Sequence, residues 1–267
     1  MDPLSLYKKN YHLDYGDIDF FKRLKLSYLF NYFQNIAGLH SESTKLGIGK
    51  LQNEYGAAWV MIRMMLDINR MPGANEDILI ETWPVEPKKM MIDRNFIVRD
   101  MDGNILVSAI STWVILDMEK RQMVKIDSVI PPQHPEFLES KAIDRKYEKL
   151  KPLGELQPVY KKLVGFSDID INGHVNNAKY IDYILDCFSV EKHGEYQIKS
   201  AQISYVNEAV AGDIISLYKD TAHMDGGNKA VYIEGISETD GKVYFQAYVE
   251  VQEDIQVQED IANISIK

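Results

Sequence analysis

Between Ser167 and Tyr180 the chain reads SDIDINGHVNNAKY, crowding two acids, three asparagines and a histidine just ahead of an apolar helical pattern. Asp170, Asn172 and His174 alternate. Alternate side chains of an extended segment point the same way, so a carboxylate, a carboxamide and an imidazole are expected to converge on one spot. These are the groups of a polar active site, in which a carboxylate or imidazole moves protons and an amide orients what reacts. Turn and cap chemistry is the plainer alternative, since Asp, Asn and Gly before a helix accept orphan amides and tolerate unusual dihedrals. It covers one or two of these residues and leaves their alternation unexplained.

The elements that must position them emerge when the chain is laid on itself. GDIDFFKRLKLSYLFNYF, from Gly16, falls over SDIDINGHVNNAKYIDYI, from Ser167, with the DID triplets in register. Each copy runs into a helical stripe, Leu26, Phe30, Phe33 and Ala37 in the first and Ala178, Ile181, Leu185 and Phe188 in the second. Downstream, DINRMP (from Asp67) falls over YVNEAV (from Tyr205), and Asp102-Gly103 over Asp240-Gly241 with the same shift. Asp-Gly between alternating runs predicts an antiparallel hairpin in each copy. The chain is therefore expected to be α+β, two units of one helix followed by several strands. Where the second copy has Asn172 and His174, the first has Phe21 and Arg23, although it keeps Asp19; Glu208 lies over Arg70, on the strand expected after each helix. A carboxylate appears only where Asn and His appear, which favours an active site in the second half. The expected division is 1–130, a connector at 131–158 rich in Pro, Lys and Arg, 159–252, and an acidic tail at 253–267 carrying a VQEDI repeat.

With 45% hydrophobic and 26% charged residues the chain is globular in composition. A net charge of −10 argues against general nucleic-acid binding, because a surface that repels phosphate forgoes counterion release. No apolar run approaches the ~20 residues of a membrane span, and the first residues lack a hydrophobic leader, so a cytoplasmic protein off the membrane is expected. The single cysteine, Cys187, rules out an internal disulfide and leaves no cysteine cluster for zinc. Neither metal nor cofactor is expected.

DIDINGHVNNAKYIDYILD, together with AAWVMIRMMLDINRMP, STWVILDMEKRQMVKI and ISYVNEAVAGD, resembles the acyl-acyl-carrier-protein thioesterases of plants and bacteria over nearly the whole chain except the tail. The resemblance implies two tandem hotdog modules, each an antiparallel sheet wrapped around a long central helix, with the active site in the C-terminal one. It places Asp170, Asn172, His174 and Glu208 in that site. Plant members carry a cysteine directly after the glutamate, where this chain has Ala209. Cys187, expected inside the second helix, reads as a small buried hydrophobe, so a covalent acyl-cysteine route is disfavoured.

The implied reaction is hydrolysis of a fatty acyl-acyl-carrier-protein thioester. Glu208 is the expected general base, with Asp170 or His174 as alternatives; Asn172 positions water or carbonyl, and Asp170 orients its neighbours. The oxyanion is expected at the helix start, on the backbone amides of Val175 or Asn176. The resemblance suggests that the first module houses the acyl chain, with Trp59, Met61, Met64 and Met65 suited to a flexible apolar pocket. The partner, acyl carrier protein, is acidic, and two basic clusters could meet it: Lys141, Arg145, Lys146, Lys149, Lys151, Lys161 and Lys162, and Lys22, Arg23 and Lys25. Monomer and homodimer stay open. An acyl-CoA thioesterase and a non-catalytic acyl-binding protein are the rival readings.

Overall fold

The computed structural model describes residues 5–131, 134–223 and 229–253. Contacts divide the chain into two units, one holding the chain up to Ile18 with Tyr28–Lys146, the other Asp19–Ser27 with the chain from Tyr147.

In the first unit β1 (Tyr7–His12), β2 (Ala57–Ile68), β3 (Asp77–Pro84), β4 (Ile92–Arg99) and β5 (Ile105–Asp117) form an antiparallel sheet in the order β1-β3-β4-β5-β2. The short β6 (Met123–Val124) joins β5. Against the sheet lies α1 (Leu26–Ser43), whose Leu29, Phe30, Phe33, Ile36 and Ala37 are buried at helical spacing. The Phe33 ring meets Phe96 of β4 at 4.6 Å. Each of the leucine, isoleucine and phenylalanine side chains contributes roughly 1.5–3 kcal/mol on leaving water, so this stripe rather than helix propensity holds α1 in place. Truncating Phe33 to alanine would cost about 3–5 kcal/mol.

The long connection after α1 contains α2 (Ile48–Tyr55), closed by Gly56 at φ 57°, whose amide reaches the Gln52 and Leu51 carbonyls. Leu51 seats in a cluster with Leu46, Ala57, Ile92, Ile115, Ile126 and Val129. Register along β2 and β5 breaks between Met61 and Arg63. Met61 and Met64 consequently share the helix-facing side with Phe96, while Met65 points to the other side. All three methionines are buried, yet they do not line one wall.

The second unit repeats the plan. β7 (Gln157–Leu163), β8 (Tyr196–Tyr205), β9 (Ile214–His223), β10 (Lys229–Ser237) and β11 (Val243–Glu253) run antiparallel in the order β8-β11-β10-β9-β7. α3 (Asn177–Leu185) packs on them through Tyr180, whose ring lies 5.2 Å from Phe245 and 5.8 Å from Tyr205. Both Asp-Gly hairpins form, with Gly103 at φ 89° and Gly241 at φ 72°, and each carries a bulge at the matching place, between Val98 and Arg99 and between Gly235 and Ile236.

The second helix differs from expectation. α3 has nine residues against eighteen in α1, and Phe188 lies beyond its end. Its buried positions are Ala178, Tyr180, Ile181, Tyr183 and Ile184. After Leu185 the amides of Cys187 and Phe188 bond three residues back, to the carbonyls of Ile184 and Leu185. That tightening ends the helix, and the chain continues into α4 (Val190–Glu195). Cys187 therefore sits just past the helix rather than inside it, buried, with its Sγ on the Tyr183 carbonyl at 3.4 Å.

Between β6 and β7 the chain is held by side chains of the sheets. In the first unit Trp83 donates to the Ser140 carbonyl, Asn95 accepts the Ala142 amide, and Arg145 pairs with Asp67 at 2.7 Å. In the second, Gln202 exchanges two hydrogen bonds with the Glu148 backbone, and the buried Asp220 accepts the amides of Leu153 and Gly154. The first VQEDI begins at Val251 within β11, where Glu253 pairs with Lys229 at 2.7 Å, and the acidic tail after Glu253 lies outside the described residues.

Candidate active site

Residues 170–174 form a tight turn rather than an extended segment. The Asp170 amide donates to the His174 carbonyl at 2.8 Å, the Gly173 amide returns to the Asp170 carbonyl at 3.1 Å, and Gly173 takes φ 81°. Asp170 Oδ1 accepts the Asn172 amide at 2.8 Å, and Oδ2 receives Asn172 Nδ2 at 3.3 Å. This is an Asx turn, so the convergence expected from alternation does not occur: Asn172 folds back on Asp170 and stays exposed. The first copy builds the same turn. There the Asp19 amide donates to the Arg23 carbonyl, Lys22 to the Asp19 carbonyl, and Asp19 Oδ1 accepts the amides of Phe21 and Arg23 at 2.8 and 2.9 Å. Lys22 stands where Gly173 does, at φ 61°. An aspartate in this position is thus a turn builder in both copies.

His174 leaves the turn toward Glu208, with Nε2 to Oε2 at 3.5 Å; their side chains are 29% and 35% exposed, open enough for a substrate to reach. Glu208 lies three residues past the end of β8, not on the strand. Its loop is pinned from two sides. The amides of Val206 and Asn207 donate to the Tyr244 carbonyl and Asn207 Nδ2 to the Val243 carbonyl at 2.7 Å. On the far side Asp213 Oδ2 accepts the Val210 amide at 2.9 Å and the Tyr244 hydroxyl at 2.8 Å.

In the first copy Asn69 makes the same bonds, to Leu106 and Ile105, but the next residue, Arg70, is locked onto both oxygens of Glu76 at 2.8 and 2.9 Å. The frame is shared and the chemistry is not. Asn207, Asp213 and Tyr244 were missed from sequence, although the overlap of DINRMP on YVNEAV already aligned Asn69 with Asn207.

The oxyanion expectation is overturned for both backbone amides. Val175 donates its amide to the Ala209 carbonyl and Asn176 donates its own to the Asp168 carbonyl, both at 2.9 Å. These bonds stitch the turn to the Glu208 loop and leave neither amide for substrate. Asn176 is the N-cap of α3, its Oδ1 accepting the Ala178 amide at 2.9 Å, and its carbonyl takes the Lys179 amide. Among the described residues, the Asn177 amide of the first turn stands outside these bonds, and Asn172 Nδ2, with one hydrogen toward Asp170, keeps a second to offer.

Behind the site, Tyr180 and Tyr183 are both buried. Burial pushes the Tyr180 phenol well up. Burial likewise pushes the Cys187 thiol up to about 12, so it stays a thiol at neutral pH. Among the described residues no group of three His, Cys, Asp or Glu side chains is arranged to hold a metal, and no helix is long and apolar enough to cross a membrane. Three of the seven residues of the larger basic cluster are paired with carboxylates: Arg145 with Asp67, Lys161 with Glu238, and Lys162 with Asp168.

The chain matches the acyl-ACP thioesterase N-terminal domain over residues 5–131 and the acyl-ACP thioesterase C-terminal domain over 158–262. It is 28% identical over 215 residues to the chloroplastic acyl-[acyl-carrier-protein] hydrolase FATB2 of Cuphea viscosissima, a match covering 76% of this chain and 52% of that one. A chloroplastic oleoyl-acyl carrier protein thioesterase 1 of Arabidopsis thaliana is 26% identical over 183 residues, covering 64% of this chain and 50% of the relative. The chain spans about half the length of the curated relatives it matches. Among solved structures, an acyl-ACP thioesterase from Bacteroides thetaiotaomicron superposes with a TM-score of 0.83 at 29% identity, over 93% of this chain and 98% of that one. The 12:0-ACP thioesterase of Umbellularia californica, 20% identical with a TM-score of 0.79 over 93% and 98%, shares the fold. With both domains matched in order over most of its length, this chain belongs to the acyl-ACP thioesterase family.

Proposed function

We propose that the protein hydrolyses fatty acyl-acyl-carrier-protein thioesters, releasing free fatty acid and the carrier thiol and so ending chain elongation. One observation carries this reading: His174 and Glu208 face each other at 3.5 Å in the second copy, where the first copy has arginines at both places. Glu208 takes a proton from water, whose oxygen attacks the thioester carbonyl carbon. The carbonyl oxygen gathers negative charge and is met by the Asn172 side-chain amide or the Asn177 amide at the positive end of α3. As the carbon–sulfur bond breaks, the proton held between Glu208 and His174 passes to the leaving thiolate. Asp170 acts through the turn it builds, fixing Asn172 and His174. Family membership and the Bacteroides structure support the carrier-bound acyl group as substrate. The helix-facing Met61 and Met64 of the first unit suit its acyl chain.

Release of free thiol from matched acyl-carrier-protein and acyl-CoA thioesters tests the reading. Carrier substrates are expected to be preferred, and Glu208→Gln to lower kcat about 10²–10⁴-fold. Hydrolysis of CoA substrates alone would move the activity to the other carrier, and acyl binding without hydrolysis would make the protein an acyl binder.

A further inference from the structure

The helix-facing interior of the first unit, apolar around Phe33 and Phe96, turns polar at the C-terminal end of α1. Arg94, on β4 one pleat from Phe96, points into it and is partly buried. Its Nη1 donates to His40 Nδ1 at 3.0 Å and approaches Thr82 Oγ1 at 3.4 Å, while Nη2 reaches Ser41 Oγ at 3.4 Å. His40 and Thr82 are buried, and Tyr7 stacks on His40 at 5.6 Å. No carboxylate among the described residues stands within ion-pair distance of the guanidinium, and its Nε and the rest of its fork meet no acceptor among them. Burial alone pushes it down to about 10. The nearby His134, neutral or cationic in either protonation state, supplies no negative charge.

A counter-charge role for the helix end does not account for the arrangement. The last carbonyls of α1 are already met: His40 by the Thr44 amide and Ser43 Oγ, Ser41 by the Leu46 amide and Thr44 Oγ1, Glu42 by the Lys45 amide. A planar guanidinium with open N–H groups, a hydroxyl beside it and no anion is the donor set that grips an oxyanion in two parallel bonds.

We propose that Arg94, with Ser41 and His40, forms an anion site in the first unit that takes a carboxylate or phosphoryl oxyanion. It is independent of the thioesterase reading, because it is tested by binding alone. The full chain would be titrated calorimetrically, and by thermal shift, with inorganic phosphate, acetate and decanoate. Saturable binding of at least one is expected, weakened about tenfold or more in Arg94→Met. Phosphate binding identifies a free phosphoryl group as the ligand, and decanoate without acetate identifies the head of an amphiphile. Arg94→Lys, which keeps the charge and loses the fork, carries the test if Arg94→Met does not fold; the same tenfold weakening is expected. Absence of binding by the wild type, or binding unchanged in the folded variants, overturns the site.

Discussion

Asp170 and Glu208 show how differently two carboxylates of one site are used. Both Asp170 oxygens are taken up by Asn172, whereas Glu208 points at an imidazole. Asp170→Ala should therefore cost about 1 kcal/mol of stability, the worth of a hydrogen bond, and Asp19→Ala in the other copy should cost a similar amount. Only the former should slow hydrolysis, and denaturant titration beside thiol-release kinetics checks both. Cys187 offers the opposite test. With burial holding its thiol at about 12, iodoacetamide should leave the proposed hydrolysis unaffected at pH 8, and Cys187→Ala should retain kcat within about twofold. Asn172, His174 and Glu208 stand out in the sequence because they break the match between copies, whereas Asp170 does not, being kept as Asp19. The bonds of the Val175 and Asn176 amides are not legible there, because their carbonyl partners, on Ala209 and Asp168, are set by backbone pairing that no side-chain pattern announces.

At the scale of elements, the turn before α3 and the loop after β8 decide where the chemistry stands. Gly173 at φ 81° suffers no clash from an added Cβ, only backbone strain, so Gly173→Ala should lower stability by about 1–2 kcal/mol. Lys22 at φ 61° already bears that strain, and Lys22→Gly should recover up to about 1 kcal/mol; paired melting curves settle both. Asp213 ties the Glu208 loop to Tyr244, and Asp213→Ala should lower kcat about 10–100-fold with little change in KM, because a displaced base loses attack geometry before it loses binding. Both hairpins could be read from their Asp-Gly pairs. The length of α3 could not: Leu185 and Phe188 continue the helical spacing past the point where the backbone tightens, and periodicity sees side chains, not the hydrogen bonds that end a helix.

For the molecule as a whole, charge sets the response to acid. Arg70, despite some burial, holds Glu76 below the usual carboxylate range. Burial pushes Glu81 and Asp168 up, but Lys8 and Arg99 more than offset it for the first, and the Gly165 amide and Lys162 for the second. Carboxyls depressed in the folded state stabilise it above their unfolded values and stop doing so as pH falls through the folded ones. Stability should hold above about pH 5 and decline below about pH 4, as a pH series of denaturant midpoints would show. Finally, the twin turns make each copy the other's blank. A spectroscopic label at the exposed residue 20 reports the frame alone, and one at its exposed counterpart 171 the frame plus whatever the site holds. Their ratio, taken within one molecule, cancels temperature, solvent and concentration, so occupancy of the site can be followed without a reference sample.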